Sequence, residues 1–240
     1  PAGTRLSFDM LGEGARTDED ARRYFESYAQ AIAAICTAGK SGSVEEADGI
    51  SVKLSALHAR YEFRQKRRVM DELLPRVKAL ALQAKQGGIG FSIDAEEADR
   101  LDISLDIFEA LARDPDLAGW DGLGFVLQAY QKRAARVADW LVALGRECQR
   151  RFMVRLVKGA YWDGEIKHAQ EQGLPDYPVF TRKCHSDLSY QVCAQVLLAA
   201  PEAIFPQFAT HNAHTVAVVQ ALTATGQPFE FQRLHGMGHL

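Results

Sequence analysis

Arg151-Phe152-Met153-Val154-Arg155-Leu156-Val157-Lys158-Gly159-Ala160-Tyr161-Trp162-Asp163 is the stretch from which the fold can be read. Residues 152–157 form a short apolar run of strand type, yet Arg155 lies inside it and Lys158 at its end. Gly159 then turns the chain into a polar, helix-like segment. A strand buried on both faces has no room for an unpaired charge. Both cations therefore call for a carboxylate partner or an anionic ligand at the carboxyl end of this strand.

Working outward, strand-like runs recur at residues 5–10, 49–55, 88–94, 122–128, 204–210 and 229–234. Pro206 stands in the sixth strand and removes a ladder donor there. Between the runs lie helical patterns. The first is capped by Thr17, with Asp20 three residues on and Asp18 and Glu19 complementing the helix terminus. It carries Tyr24, Tyr28, Ile32 and Ile35 on one face, ends near Gly39, and leads into a polar loop over residues 41–49. A basic segment interrupted by Pro75 reads as two helices or one kinked helix and runs out at Gly87-Gly88. Ala98, Leu101, Leu105, Phe108 and Leu111 mark the next inward face, and Val137, Leu141 and Leu144 the one after. A shorter polar helix passes through Glu165 and His168, and a loop holds Pro175 and Pro178. Residues 181–199 read as a helix with Leu188, Val192 and Val196 inward, and residues 215–222 as the last helix.

Strand and helix alternating in this way signal a parallel α/β architecture. Lys53, Asp94, Gln128, Lys158, His211 and Asn212 all fall at or just after the carboxyl ends of different strands, the arrangement of a β/α barrel. A doubly wound sheet would need a glycine-rich phosphate loop after its first strand, and Gly12-Glu13-Gly14 lacks the third glycine. The fold expected is α/β, a distorted (βα)8 barrel of the TIM type, incomplete at about seven strands.

At 240 residues, 47% hydrophobic and 25% charged, the chain is long enough for one large domain. A net charge of -3 offers no basic footprint for nucleic acid. No apolar run approaches the roughly 18 residues of a membrane span. The scattered Cys36, Cys148, Cys184 and Cys193 read as reduced, mostly buried thiols of a cytosolic protein, with Cys184 beside Lys183 the one candidate for reactivity. The chain opens on Pro1 rather than Met, so an upstream portion is expected.

Six blocks now carry a resemblance: Ile50-Ser51-Val52-Lys53-Leu54-Ser55-Ala56-Leu57-His58, Ile93-Asp94-Ala95-Glu96-Glu97-Ala98-Asp99-Arg100, Gln128-Ala129-Tyr130-Gln131-Lys132, Arg155-Leu156-Val157-Lys158-Gly159-Ala160-Tyr161-Trp162, Phe208-Ala209-Thr210-His211-Asn212 and Leu234-His235-Gly236-Met237-Gly238. In order and spacing they resemble the proline dehydrogenase domain of the bifunctional bacterial flavoproteins called proline utilisation A. The resemblance implies a distorted β/α barrel that oxidises L-proline to pyrroline-5-carboxylate with FAD and passes electrons to a membrane quinone. The protein would then be cytoplasmic and peripherally bound to the inner membrane during turnover. By matched position it also implies that Lys53 holds the proline carboxylate, that Asp94 belongs to the ion-pair network around it, and that Tyr161 and Leu234 line the ring's site. Gln128, Arg155, Val157, Gly159, Thr181, Lys183, His211, Asn212 and Gln232 match positions that contact FAD.

Removing hydride beside an amine leaves negative charge on the flavin, and a fixed cation such as Arg155 aimed there raises its potential. No residue stands out as a dedicated base. Lys53 also reads as an ion-pair partner of Asp94, which is compatible with a substrate role, and Arg155 as a counter-charge to an acidic layer. Tyr161-Trp162 reads as a pocket wall. The pairs His211/His214 and His235/His239 lack accompanying carboxylates, and no metal is expected. Glu96 and Glu97 read as a helix N-terminal preference.

The family's eighth strand and its final helix, with two adjacent arginines that clamp the carboxylate, have no counterpart after the seventh strand, where Arg233 stands alone. Residues 1–240 are thus expected to be a partial barrel domain, without the aldehyde dehydrogenase half or an upstream arm. Weak or no activity alone, exposed strand edges and a tendency to form homo-oligomers follow. The rival readings are a class I aldolase-like barrel with a Schiff base on Lys53 or Lys158, and a non-catalytic flavin-binding module. A metal-dependent hydrolase is disfavoured because the first strand ends in Asp9-Met10 without a His-x-His pair.

Overall fold

The computed structural model describes residues 4–10, 14–38 and 42–237. Gly12, Glu13, Gly39, Gly238 and His239, with the start of the loop at Ser41, lie outside the described residues, as do Pro1 and Leu240. The chain divides into two compact units, Pro1–Phe125 and Val126–Leu240.

The first unit contains β1 (Ser7–Asp9), α1 (Asp18–Ala38), β2 (Gly49–Val52), the short α2 (Leu54–Leu57), α3 (Lys66–Gly87), β3 (Gly90–Ile93), α4 (Leu101–Ala112) and the start of β4 (Leu123–Gln128). β1 pairs with β2, β2 with β3 and β3 with β4, all parallel, with Ser7 opposite Gly49, Gly49 opposite Gly90 and Phe91 opposite Leu123. The expected capping box opens α1: the Asp20 N–H donates to Thr17 Oγ1 and the Thr17 N–H to Asp20 Oδ2, both at 3.1 Å. Tyr28, Ile32 and Ile35 are buried as read, while Tyr24, Ala98 and Leu105 are only half-buried. Pro75 sits inside one continuous helix, α3, whose buried Val69, Leu73, Val77, Leu80, Ala81 and Ala84 hold it by packing. Gly88, at φ 67°, ends that helix in the left-handed region that glycine adopts without strain.

The second unit holds the rest of β4, then α5 (Ala134–Cys148), β5 (Phe152–Val157), α6 (Trp162–Glu171), α7 (Lys183–Leu198), β6 (Ile204–Ala209), α8 (Ala213–Leu222) and β7 (Glu230–Gln232). β5 pairs with β6 and β6 with β7, again parallel. Pro206 is tolerated for a geometric reason. The Phe152 N–H donates to Ala203 O, so Pro206, in the opposite phase, turns its nitrogen away from β5. Pairing with β7 begins only at Gln207.

The inward face of α7 differs from the expectation. Ser186, Tyr190, Cys193, Ala194, Leu197 and Leu198 are buried, whereas Leu188 is 60% and Val192 38% exposed and Val196 is half-buried. The helix carries two apolar stripes, and the one with Tyr190 offers more area to bury. The cysteines are corrected as well: all four are free thiols, but only Cys193 is buried, and Cys184 is exposed.

The hydrogen-bonded strand order follows the chain from β1 to β7. Among the described residues this is the topology of a β/α barrel with seven of its eight strands, as expected. No described helix is long and apolar enough to cross a membrane.

Candidate active site

In the first unit, β2 stops at Val52, and Lys53 is the first residue beyond the strand rather than part of it. Only 6% of its side chain is exposed. Its Nζ donates to Asp94 Oδ2 at 2.8 Å, just past β3, and to Asp9 Oδ1 at 2.9 Å, the last residue of β1. Three adjacent parallel strands thus deliver an ammonium and two carboxylates to one point. Burial disfavours the ammonium, but Asp94 and Asp9 outweigh it and hold the Lys53 pKa above its usual value. The expected pairing of Lys53 with Asp94 is present. Asp9 is a partner the sequence reading did not name, although its place at a strand end was the available signal.

Two further side chains hold the backbone around Lys53. The Lys53 N–H donates to Tyr28 Oη at 3.2 Å. Tyr28 is wholly buried on α1, and burial pushes its hydroxyl pKa up to about 12. The Ser55 N–H donates to Glu96 Oε1 at 3.0 Å. Glu96 is buried and receives Arg100 on its other oxygen at 3.0 Å. Burial raises its pKa against the lowering by Ser55 and Arg100. This is a structural role for a residue that read as a helix-terminus preference. Ser55 in turn accepts the Gly14 N–H on its hydroxyl and the Ala15 N–H on its carbonyl, so the segment after β1 is tied to the same turn.

In the second unit, the carboxyl end of β5 is clamped by that of β4. Ala129 and Tyr130 N–H groups donate to the carbonyls of Val157 and Lys158. Gln128 Oε1 accepts from Ala160 N–H at 3.1 Å, and Tyr130 Oη from Tyr161 N–H at 3.2 Å. Gly159 makes this possible: its φ is +139°, and a Cβ there would lie 2.4 Å from the Tyr130 ring. Tyr161 is half-buried, while Trp162 is 41% exposed and donates to Phe180 O at 2.9 Å.

The two cations of the opening stretch part company. Arg155 faces Gln207 and Glu230 across β5, β6 and β7, which lie in one register row. Its Nε donates to Gln232 Oε1 at 2.6 Å, while Gln232 and Gln207 both donate to Glu230 Oε1, at 2.6 and 2.8 Å. Lys158 instead meets Asp187 on α7 at 2.5 Å, whose second oxygen takes Lys183 at 2.6 Å. Burial raises the Asp187 pKa, but the two lysines outweigh it and leave the carboxyl below its usual range. Asp187 was not foreseen.

The Asn212 side chain caps α8 by accepting Thr215 N–H at 2.9 Å. His211 Nε2 accepts Leu234 N–H at 3.2 Å, which brings those two expected residues together. Thr181, His211, Asn212 and Leu234 are exposed, and Val157 and Gln232 half-buried. Among the described residues no group of three His, Cys, Asp or Glu is placed to hold a metal ion.

Parallel strands in chain order, with charged and amide side chains past their carboxyl ends, define the class: a β/α-barrel protein. The chain belongs to the proline dehydrogenase family, which it matches over residues 1–240. It is 58% identical over 240 residues to Bifunctional protein PutA of Salmonella typhimurium, covering 98% of this chain and 18% of that protein. It is 27% identical over 241 residues to Proline dehydrogenase 1 of Bacillus subtilis, covering 98% of this chain and 67% of that one. A solved mutant of proline utilization A from Bradyrhizobium japonicum superposes with a TM-score of 0.96 at 59% identity, covering 98% of this chain and 24% of that chain. The chain thus spans about a fifth of the length of its PutA relative.

Proposed function

We propose that residues 1–240 form part of a proline dehydrogenase barrel domain that oxidises L-proline to pyrroline-5-carboxylate with FAD and delivers the electrons to a membrane quinone. The observation that carries this reading is the family match over the whole chain, joined to a charged lysine held past β2. Lys53, oriented by Asp94 and Asp9, takes the substrate carboxylate, and Tyr161 and Leu234 line the ring's site.

The donor set in the second unit fits a flavin dinucleotide. Arg155, Lys183, Gln128, Asn212, Gln232 and His211 offer cations, amides and an imidazole for phosphate, ribityl and ring oxygens. Gln207 Oε1 lies buried without a hydrogen-bond donor among the described residues, an acceptor of the kind a ring N–H needs. Thr181, Val157 and Gly159 complete the set of residues assigned to FAD. Bound FAD would supply the two-electron acceptor that no side chain provides. Arg155 contributes a fixed cation whose orientation is set by Gln232.

A Schiff-base reading fits less well. A nucleophilic lysine needs a lowered pKa, and Lys53 is held the other way by two carboxylates, while Lys158 is ion-paired with Asp187. The test is anaerobic addition of L-proline to the FAD-loaded parent protein that carries residues 1–240, since those residues alone are expected to turn over weakly or not at all. Bleaching of the oxidised-flavin band is expected. Bound flavin that proline leaves oxidised, or a borohydride-trapped adduct on Lys53, would overturn the reading.

A further inference from the structure

We propose that Tyr28 and Glu96 are positioning residues for Lys53, acting on its backbone rather than on its charge. The inference rests on the reading of Lys53 as the anchor of the substrate carboxylate. Lys53 leaves β2 in an extended conformation, φ -96° and ψ 123°, at the head of α2, a helix of only 4 residues. The Ala56 N–H closes the turn on Lys53 O at 3.1 Å, but the first N–H groups of a helix have no intrahelical partner. The amides on either side of the turn are instead taken by side chains from other elements. Tyr28 Oη accepts the Lys53 N–H and Glu96 Oε1 the Ser55 N–H, at 3.2 and 3.0 Å. Both acceptors are buried, so water cannot replace them.

The two grips on Lys53 are linked covalently. Asp94 holds Nζ and Glu96, two residues later, holds the turn from which that side chain springs. The Asp94 N–H is itself tied to Val52 O at 2.9 Å. One segment after β3 therefore fixes the ammonium of the lysine and, at Ser55, the turn two residues beyond its backbone. Arg100 occupies the second Glu96 oxygen, which keeps Oε1 turned to Ser55. Removing either acceptor frees the lysine to swing while leaving its charge and both ion-pair partners intact. The expected loss is in substrate binding, not in flavin chemistry.

The experiment compares Tyr28→Phe, Glu96→Ala and Glu96→Gln in the flavin-loaded protein that carries this chain. Loss of one buried acceptor is worth about a five- to tenfold effect, so KM for L-proline should rise by about that factor in Tyr28→Phe and Glu96→Ala. The kcat and flavin content should stay close to wild type. Glu96→Gln, which keeps a carbonyl for the Ser55 amide, should recover most of the loss. Independently of activity, amide hydrogen exchange should quicken at Lys53 in Tyr28→Phe and at Ser55 in Glu96→Ala. Unchanged KM in both variants, or a rise in KM accompanied by loss of kcat and flavin content without rescue by glutamine, overturns the proposal. A wild-type protein that fails to oxidise proline would instead sink the functional reading, and unchanged exchange at both amides would still refute the clamp.

Discussion

Replacing Lys53 by methionine keeps the length and apolar stem of the side chain but deletes the ammonium that lies 2.9 Å from Asp9 and 2.8 Å from Asp94. Exposure is 6% for the lysine side chain, 17% for Asp94 and 52% for Asp9. Stripping one partner from a buried pair costs roughly 3–5 kcal/mol. Asp9 can turn to water, which sets the expected loss at the lower end, about 3 kcal/mol. In a chain of this size that is a fall of about 6–12 °C in Tm. Thermal melts at neutral pH should show it. Asp94→Asn should then cost much less in the Lys53→Met background than in wild type, because the orphaned carboxylate is gone. The sign with pH follows from the raised lysine pKa. Its contribution is fully present below the unfolded value of about 10.4 and is lost as pH rises through the higher folded value, so the gap between wild type and variant narrows only in strong alkali. Equal melting of wild type and Lys53→Met at neutral pH, or strictly additive costs in the double variant, would refute the ion triad as a structural element.

Gly159→Ala should destabilise by about 3 kcal/mol or more, read as a lower urea midpoint, because its Cβ would collide with the Tyr130 ring at a φ of +139°. Tyr28, buried and with its pKa pushed up to about 12, should lag the exposed tyrosines in an ultraviolet titration, as should Tyr61 and Tyr190, whose hydroxyls burial also pushes up. The folded Tyr28 pKa lies above the usual value of about 10, so its contribution, about 2–3 kcal/mol, holds below pH ~10 and drains away up to pH ~12; Tyr28→Phe should flatten that alkaline loss. A thiol reagent should modify the exposed Cys184 first and the buried Cys193 last, since burial pushes the latter's pKa up to about 11. Equal rates at the two would contradict their placement.

β2 to β6 were legible because each is a short, largely apolar run bounded by glycine or a polar cluster, and the fold class followed from where the polar residues fell. Lys53 and Asp94 could be paired in advance because both close neighbouring strands. Asp9 was harder to see: β1 is only 3 residues long and exposed throughout, so it lacks the apolar signature that marks a strand end as informative. Tyr28 shows a different limit. Its helical spacing marks it as core, which it is, but periodicity is blind to the hydroxyl that meets the Lys53 amide. Glu96 was masked by composition, since acidic residues before a helix are common for dipole reasons alone. In α7, apolar residues repeat along two stripes, and nothing local distinguishes Leu188, which faces solvent, from Tyr190, which does not.

From the sequence alone came the order and type of the elements, the parallel α/β class, and the chemical character of the groups past each strand. These are local properties, set by side-chain periodicity, turn residues and charge. The tertiary structure decided which charge answers which. Arg155 meets Gln232 across 77 positions of chain and Lys158 meets Asp187 across 29, so two cations three residues apart acquire different partners. Lys53 draws one carboxylate from 44 positions before it and another from 41 after. Such choices depend on strand register and helix placement, because an ion pair lives or dies on a few ångströms through space that distance along the chain does not encode.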